Sequence, residues 1–318
     1  MDPEGAARGP EPPAARRGGV GIRLAAGHLG RVLLGLIFLV AGILKGLDPA
    51  EFARQIAAYG IIGPGAAGLA APLFIALETT LGVALLAGFR PRAGAVVAAG
   101  LLAVFIAIEA YGMSRGRTEA CGCFGAYLER TPRQVIAEDI AFIGLAGLCL
   151  WGLRPWRGAR RGAAGGTVLA AAVLSLGFAL ASPYLPLDPV TTRLAQGRSL
   201  EDLDIEGVAP GLRSGRWLVA LLDLSDPAAT EAAAALDALL LEPGAPGVVA
   251  LTPSGEEEVL AFTLQAFPGF DVHPVDRQVL KRLYRRLPRF FLVEDGRVVA
   301  VYGGAVPPAT NLISSGAL

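Results

Sequence analysis

The chain has 318 residues, of which 53% are hydrophobic and only 18% charged, with 28 basic and 28 acidic side chains. A mean hydropathy of +0.52 is too apolar for an ordinary water-soluble protein and points to membrane spans. Balanced charge argues against a nucleic-acid surface, and three cysteines are too few for a disulfide scaffold.

In chain order, residues 1–25 are rich in Pro, Gly, Ala and Arg with no apolar run, and are expected to be a disordered tail rather than a cleavable leader. Five apolar segments follow, at about Leu29–Leu47, Ala66–Ala87, Ala93–Tyr111, Val135–Leu153 and Ala163–Ala181. Each is near the ~20 residues that cross ~30 Å of hydrocarbon. Their many glycines suit closely packed membrane helices. Gly60, Gly63, Pro64 and Gly65 mark a turn between the first two.

Basic residues suggest the orientation. Ten arginines (8, 16, 17, 23, 90, 92, 154, 157, 160 and 161) fall on one side of such a bundle. Six basic residues (Lys45, Arg54, Arg115, Arg117, Arg130 and Arg133) fall on the other, mixed with acids. The N-terminus is expected in the cytoplasm, and five spans then place the C-terminal region outside.

Residues 184–199 read as a polar linker. From residue 200 the pattern is that of a small α/β domain. Strands are expected at Trp217–Leu224, Gly247–Leu251, Phe270–Val275, Arg289–Val293 and Arg297–Tyr302, the last two joined by Asp295-Gly296. Helices are expected at Pro227–Leu241, Gly255–Phe267 and Asp276–Tyr284. A final helix is hard to place after Pro307-Pro308.

The chemistry centres on Cys121-Gly122-Cys123-Phe124-Gly125, between the third and fourth spans. Thiol exchange needs an accessible thiolate and a second sulfur to resolve a mixed disulfide. The pair reads either as a labile redox couple or as a static clip. Zinc is disfavoured, because no nearby histidine completes a tetrahedral set. Cys149, ~21 Å along the fourth helix from its outer start, reads as a small buried apolar residue.

Glu78 falls near the middle of the second span, where a charged carboxylate costs ~2.5–3.5 kcal/mol on insertion scales. It is expected to be paired, protonated or turned into the bundle. Proton handling, a headgroup or quinone anchor, and a plain interhelical hydrogen bond all remain open for it. Lys45, Glu109 and Asp139 are expected near the outer ends of their spans, around the base of the cysteine loop. There Lys45 either lowers a thiol pKa or simply snorkels to the interface. His28 and His273 have no partner at a useful spacing, and no phosphate loop, dinucleotide fingerprint or zinc-protease motif is present.

Two stretches resemble known families. Residues 31–152 resemble the DoxX-like membrane proteins and, within them, the methylamine utilisation protein MauE. The resemblance is carried by Leu39 to Lys45, Asp48-Pro49, Tyr59, Glu78 with Leu81-Gly82, and above all the Cys121–Gly125 string. It implies a four-helix membrane domain over about 26–155, with a fifth helix over 156–183 as an added tether. Residues 200–318 resemble thioredoxin-fold domains of periplasmic thiol-disulfide proteins. Leu287 to Val293 matches the stretch carrying that fold's cis-proline, here Pro288. The usual C-x-x-C is missing, and Asp226 and Ala229 stand where its thiols align.

Together these resemblances imply a membrane all-α bundle followed by a thioredoxin-like α/β domain, in the inner membrane. The implied function is maturation of exported proteins, of the methylamine dehydrogenase type, through Cys121 and Cys123 with Glu78 and Lys45 in support. The implied partners are an exported client or a periplasmic thiol-disulfide protein, besides the lipid bilayer. A scaffold with a partner-binding domain, or a quinone-binding bundle around Glu78, are the alternatives.

Overall fold

In a computed structural model, residues 14–116, 130–153, 161–205 and 207–314 are described. The chain divides into two compact units, Met1–Tyr184 and Leu185–Leu318. Among the described residues, five helices of the first unit are long and apolar enough to cross a membrane.

The first unit contains α1 (Ala14–Leu47), α2 (Pro49–Ala58), α3 (Pro64–Leu86), α4 (Pro91–Ser114), α5 (Pro132–Gly152) and α6 (Arg161–Ala181). Four of them, α2 to α5, begin with proline, whose fixed φ suits the first helical position and whose missing N–H would have no partner there. Asp48 caps α2, and Thr131 with Gln134 forms a capping box at α5. The α3–α4 turn is tight, with Gly88 at φ 69° and Arg90 at φ 43°.

Helix α1 lies against α3 and α5, α4 against α5, and α6 against α3. Small residues permit the close approach of α1 and α3. A Cβ at Gly42 would lie 2.3 Å from Thr79 Oγ1, and one at Gly82 would lie 2.5 Å from the Leu39 nitrogen. The outward faces carry large apolar side chains such as Leu69, Leu73, Val96, Ile140, Leu169 and Leu174, as a surface solvated by lipid requires.

Two expectations need correction here. Helix α1 starts at Ala14, so residues 14–25 are not a structureless tail; residues 1–13 lie outside the described residues. Once nucleated by the apolar span, a helix extends cheaply through Ala- and Arg-rich sequence, and Pro13 is the last breaker before it. Helix α2 was not anticipated. Its signal was present in Asp48-Pro49 followed by Glu51, a cap, a first-turn proline and a first-turn acid.

The second unit holds one five-stranded sheet in the order β3-β2-β1-β4-β5, with β1 Arg216–Leu221, β2 Gly247–Thr252, β3 Asp271–Pro274, β4 Arg289–Glu294 and β5 Arg297–Gly303. Strands β1, β2 and β3 pair in parallel; β4 runs antiparallel to β1, and β5 to β4. Alternation along the strands builds two cores. Leu218, Ala220, Val248, Ala250, Phe290 and Leu292 face α8 (Pro227–Leu240) and Phe262 of α9 (Glu256–Ala266). Val219, Leu221, Val249, Leu251, Phe291 and Val293 face the other way, onto Leu194, Leu200, Leu203, Ile205, Leu212, Leu280 and Leu283.

That second face explains the correction to residues 184–199. They belong to the second unit from Leu185 onward, including α7 (Asp188–Thr191). A sheet with two apolar faces needs a cover on both, and here irregular chain from Leu194 to Leu212, with α10 (Arg277–Lys281) and the residues after it, supplies one. A short α11 (Ala309–Ser314) closes the domain where no final helix could be placed from sequence, and its Leu312 joins the core of the α8 face.

Candidate functional site

Glycine packing sets the register of α1 against α3: Gly35 meets Leu86 and Gly82, while Gly42 meets Thr79 and Ile75. Numbers rise on one helix as they fall on the other, so the helices are antiparallel. Side chains lean toward their own helix N-terminus. Lys45 and Glu78 therefore lean toward each other, and Lys45 Nζ lies 2.5 Å from Glu78 Oε1. Lys45 is 6% exposed and Glu78 1%. The ammonium is also held between aromatic faces, 4.9 Å from the Phe52 ring centre and 5.3 Å from that of Phe105. The other Glu78 oxygen, Oε2, is buried and accepts no hydrogen bond among the described residues.

A second buried pair lies at the same end of the bundle. Tyr59, at the C-terminal cap of α2, donates its hydroxyl to Glu109 Oε1 of α4 at 2.6 Å. Helix α2 brings this phenol into the bundle, with Phe52 buried about two turns before it.

Lys45 of the first pair and both members of the second border one cavity of about 250 Å³. Its walls are Phe52, Ile56, Phe74, Phe105 and Ile108, with Ile61 and Ile62 from the α2–α3 connection; its polar groups are Lys45, Tyr59 and Glu109. An apolar chamber with a few convergent polar groups is the usual form of a small-molecule site. This one offers an ammonium, a phenol and a carboxylate to a ligand that is otherwise greasy.

The opposite end of the bundle is fastened by arginine. Arg31 donates to the carbonyls of Leu85 and Leu86, Arg92 to those of Leu150 and Leu153, and Arg23 to that of Trp151. These are the last carbonyls of α3 and α5, which lack intrahelical partners and carry the negative end of the helix dipole. Part of the basic bias counted from sequence is thus helix capping.

Of the residues singled out from sequence, Lys45 and Glu78 are brought together, and Glu109 finds Tyr59. Lys45, Glu109 and Asp139 lie toward the ends of α1, α4 and α5, where they were expected, but all three are buried, Asp139 to 1% exposure. Lys45 does not snorkel, because Glu78 and two aromatic rings hold it inside. Cys121 and Cys123 lie outside the described residues. Cys149 is fully buried, its thiol 3.6 Å from the Pro91 carbonyl. His28 borders a separate cavity with Arg31, and His273 lies on β3. Among the described residues no group of three His, Cys, Asp or Glu side chains could hold a metal ion. In the second unit the Leu287–Pro288 peptide is cis, Asp226 caps α8 by accepting the Ala228 N–H, and Ala229 is buried in the core. Sequence reasoning noted Tyr59 only as part of a resemblance and missed the chamber itself, since Phe52, Phe74 and Phe105 come from three helices.

The fold and this chamber define a polytopic membrane protein with charge held inside its helix bundle and an α/β domain appended. Residues 23–152, from α1 to the end of α5, match the family model described as methylamine utilisation protein MauE, so that stretch is a MauE-family domain. Helix α6 and the second unit lie beyond the matched residues. No curated protein matches the chain.

Proposed function

We propose that this protein is a MauE-type maturation factor for exported proteins, of the methylamine dehydrogenase kind, acting by thiol-disulfide exchange through Cys121 and Cys123. The observation that carries this reading is the MauE match over residues 23–152, which encloses the two cysteines. They stand in the segment joining α4 to α5, seven and nine residues beyond Ser114. Glu109 lies in the last two turns of that same helix. In the exchange, one thiolate attacks a client disulfide, the client sulfur leaves as a thiolate, and the second cysteine displaces the other client sulfur. The client is reduced as the pair is oxidised, and the reverse direction follows the same bonds. The exchange takes place at the outer face, with the N-terminus in the cytoplasm.

The α/β domain serves as a docking module for the client or for a periplasmic thiol-disulfide protein. Its sheet order, with three parallel strands and an antiparallel hairpin, supports a thioredoxin-like ancestry. Asp226 now caps the helix N-terminus where a reactive thiol would be activated. The test is alkylation of intact cells with and without prior reduction, together with Cys123→Ser to trap a mixed disulfide on Cys121. Two redox states and a trapped client are expected. A pair that stays in one state under all conditions, with no trapped species, returns the cysteines to the role of a clip and leaves a scaffold.

A second reading is favoured by the chamber: a bundle that binds a small molecule, such as a quinone, beside Lys45, whose ion-pair partner is Glu78. Glu78→Gln keeps the shape and removes the charge. Full activity in that variant, with normal insertion, would count against proton or quinone work there.

A further inference from the structure

The second unit keeps its charges apart. Residues 217–276 hold ten acidic residues and no Lys or Arg. They run from β1 through α8 and α9 to β3. Some of these acids serve the fold. Asp226 and Asp276 cap helices, Glu258 accepts the Gly255 N–H, and Asp237 accepts the Gly269 N–H. Glu231, Glu242, Glu256 and Glu257 are exposed, and none of them forms an ion pair among the described residues.

Helix α9 lies inside this acidic stretch. Its inner side is occupied: Phe262 is buried in the core of the α8 face, and Ala266 packs against it. Its outer side is not polar, as a face turned to water ordinarily is. Leu260, Leu264 and Phe267 are 60%, 63% and 76% exposed. Their i, i+4, i+7 spacing puts them in one row, ~10 Å long at helical rise, and Glu256 and Glu257 stand one turn before Leu260. Phe267 is the C-cap, at φ 47°. That left-handed conformation favours Gly or Asn and suits a bulky ring poorly. An exposed ring there adds nothing to the fold and is available for contact with another surface.

Two amphipathic helices bury such rows against each other, and the flanking charges choose the partner. A row ended by acids selects one flanked by bases. A second copy of this chain would bring the same acids to the contact, and like charges in apposition suppress a pairing. We propose that the outer face of α9, Leu260, Leu264 and Phe267 with Glu256 and Glu257, docks a cationic amphipathic helix of a partner protein. This face gives a surface and a partner chemistry to the docking role proposed above for the second unit; it rests on that role and is independent of thiol exchange.

The test is photo-cross-linking of the full chain, in uncharged detergent, to an amphipathic Leu/Lys helical peptide bearing a benzophenone. A Leu/Glu peptide with the same apolar face is the control. Cross-links mapped by mass spectrometry are expected within residues 256–268 for the Leu/Lys peptide, and several-fold fewer for the control. Leu264→Gln with Phe267→Asn should weaken binding about tenfold, the scale of lost interface anchors. The unfolding temperature of the second unit should hold or rise in that variant, since both side chains are exposed and Asn suits the left-handed cap. Glu256→Gln with Glu257→Gln should weaken binding several-fold, as should about 1 M salt on the native chain. Cross-links elsewhere on the second unit, unchanged by either double variant, overturn the α9 face and leave the docking role standing. Equal labelling by the two peptides overturns the cationic partner. A particle mass that halves in the Leu264→Gln, Phe267→Asn variant overturns the proposal in favour of contact between copies. Absence of any cross-link to the second unit also overturns it. The docking role is read separately, from whether the client trapped by Cys123→Ser cross-links to that unit.

Discussion

The two units solve opposite solvent problems with opposite cores. In the bundle, Leu69, Leu73, Ile140 and Leu174 point outward, while Lys45, Glu78, Glu109 and Asp139 are buried. In the α/β unit the two faces of the sheet bury side chains such as Leu218, Val219, Phe290, Phe291 and Leu292, and the ion pairs Arg282–Asp204, Arg289–Asp188 and Arg216–Glu294 stay at or near the surface. Where water is the solvent, burying apolar surface drives folding. Where lipid is the solvent, apolar contact discriminates little between inside and outside, and polar groups gain most by finding one another. Charge in the bundle core thus carries information that charge on the second unit does not.

The largest test of this contrast sets one substitution in each core. Phe291→Ala removes a fully buried ring and is expected to cost ~3–5 kcal/mol. Glu78→Leu removes no bulk of consequence, yet leaves the Lys45 ammonium buried without its carboxylate, and is expected to cost a similar ~3–5 kcal/mol. Denaturant or thermal unfolding of the full chain in detergent measures both, read separately for each unit. The double variant Lys45→Met, Glu78→Leu should recover most of the loss, since replacing both members of a buried pair is often near neutral. Failure of the double to recover stability would mean that the pair is not the source of the effect.

A smaller effect is expected at Tyr59→Phe. The ring stays, but Glu109 Oε1 loses its 2.6 Å donor, and hydrogen bonds to charged groups are worth ~1.5–3 kcal/mol. The same change removes one polar group from the chamber, so binding of any small molecule there should weaken while Lys45–Glu78 is untouched. A stability equal to that of the parent would show that the phenol does not hold Glu109.

The smallest effect belongs to the surface of the α/β unit. Asp202 is fully exposed, and the backbone N–H of Ser199, together with the Ser199 hydroxyl, holds its carboxyl below the ordinary aspartate range. Its contribution to stability is present above the unfolded-state value and is lost as pH falls through the lower folded-state value. Acid titration of the second unit's unfolding should therefore show a slight loss in that acidic window. Asp202→Asn should flatten it, with no change at neutral pH in the bundle.

The legible and illegible parts divide along the same physical line. The five spans could be read because a run of ~20 apolar residues is a local property, and the ends of α3 to α6 fall within three residues of the expected positions. The strands and the Asp295-Gly296 hairpin were equally readable, from alternation and turn chemistry. Helix α2 was missed because its ten residues are too short and too mixed for the span signal. The cover from Leu194 to Leu212 was missed because irregular chain has no period, although its leucines are buried as deeply as those of the strands.

Sequence alone determined that this chain enters a membrane with five helices, ends in an α/β domain and carries a paired-cysteine string in a MauE-like context. Hydropathy, alternation and motif are all properties of neighbouring residues. Only the tertiary structure decided that Lys45 answers Glu78 across 33 residues, that Tyr59 answers Glu109 across 50, and that four helices close a chamber between them. The cost of a buried charge could be calculated in advance; which opposite group would cancel it depends on helix register, and that is set by the close approach of Gly42 and Gly82 to the facing helix.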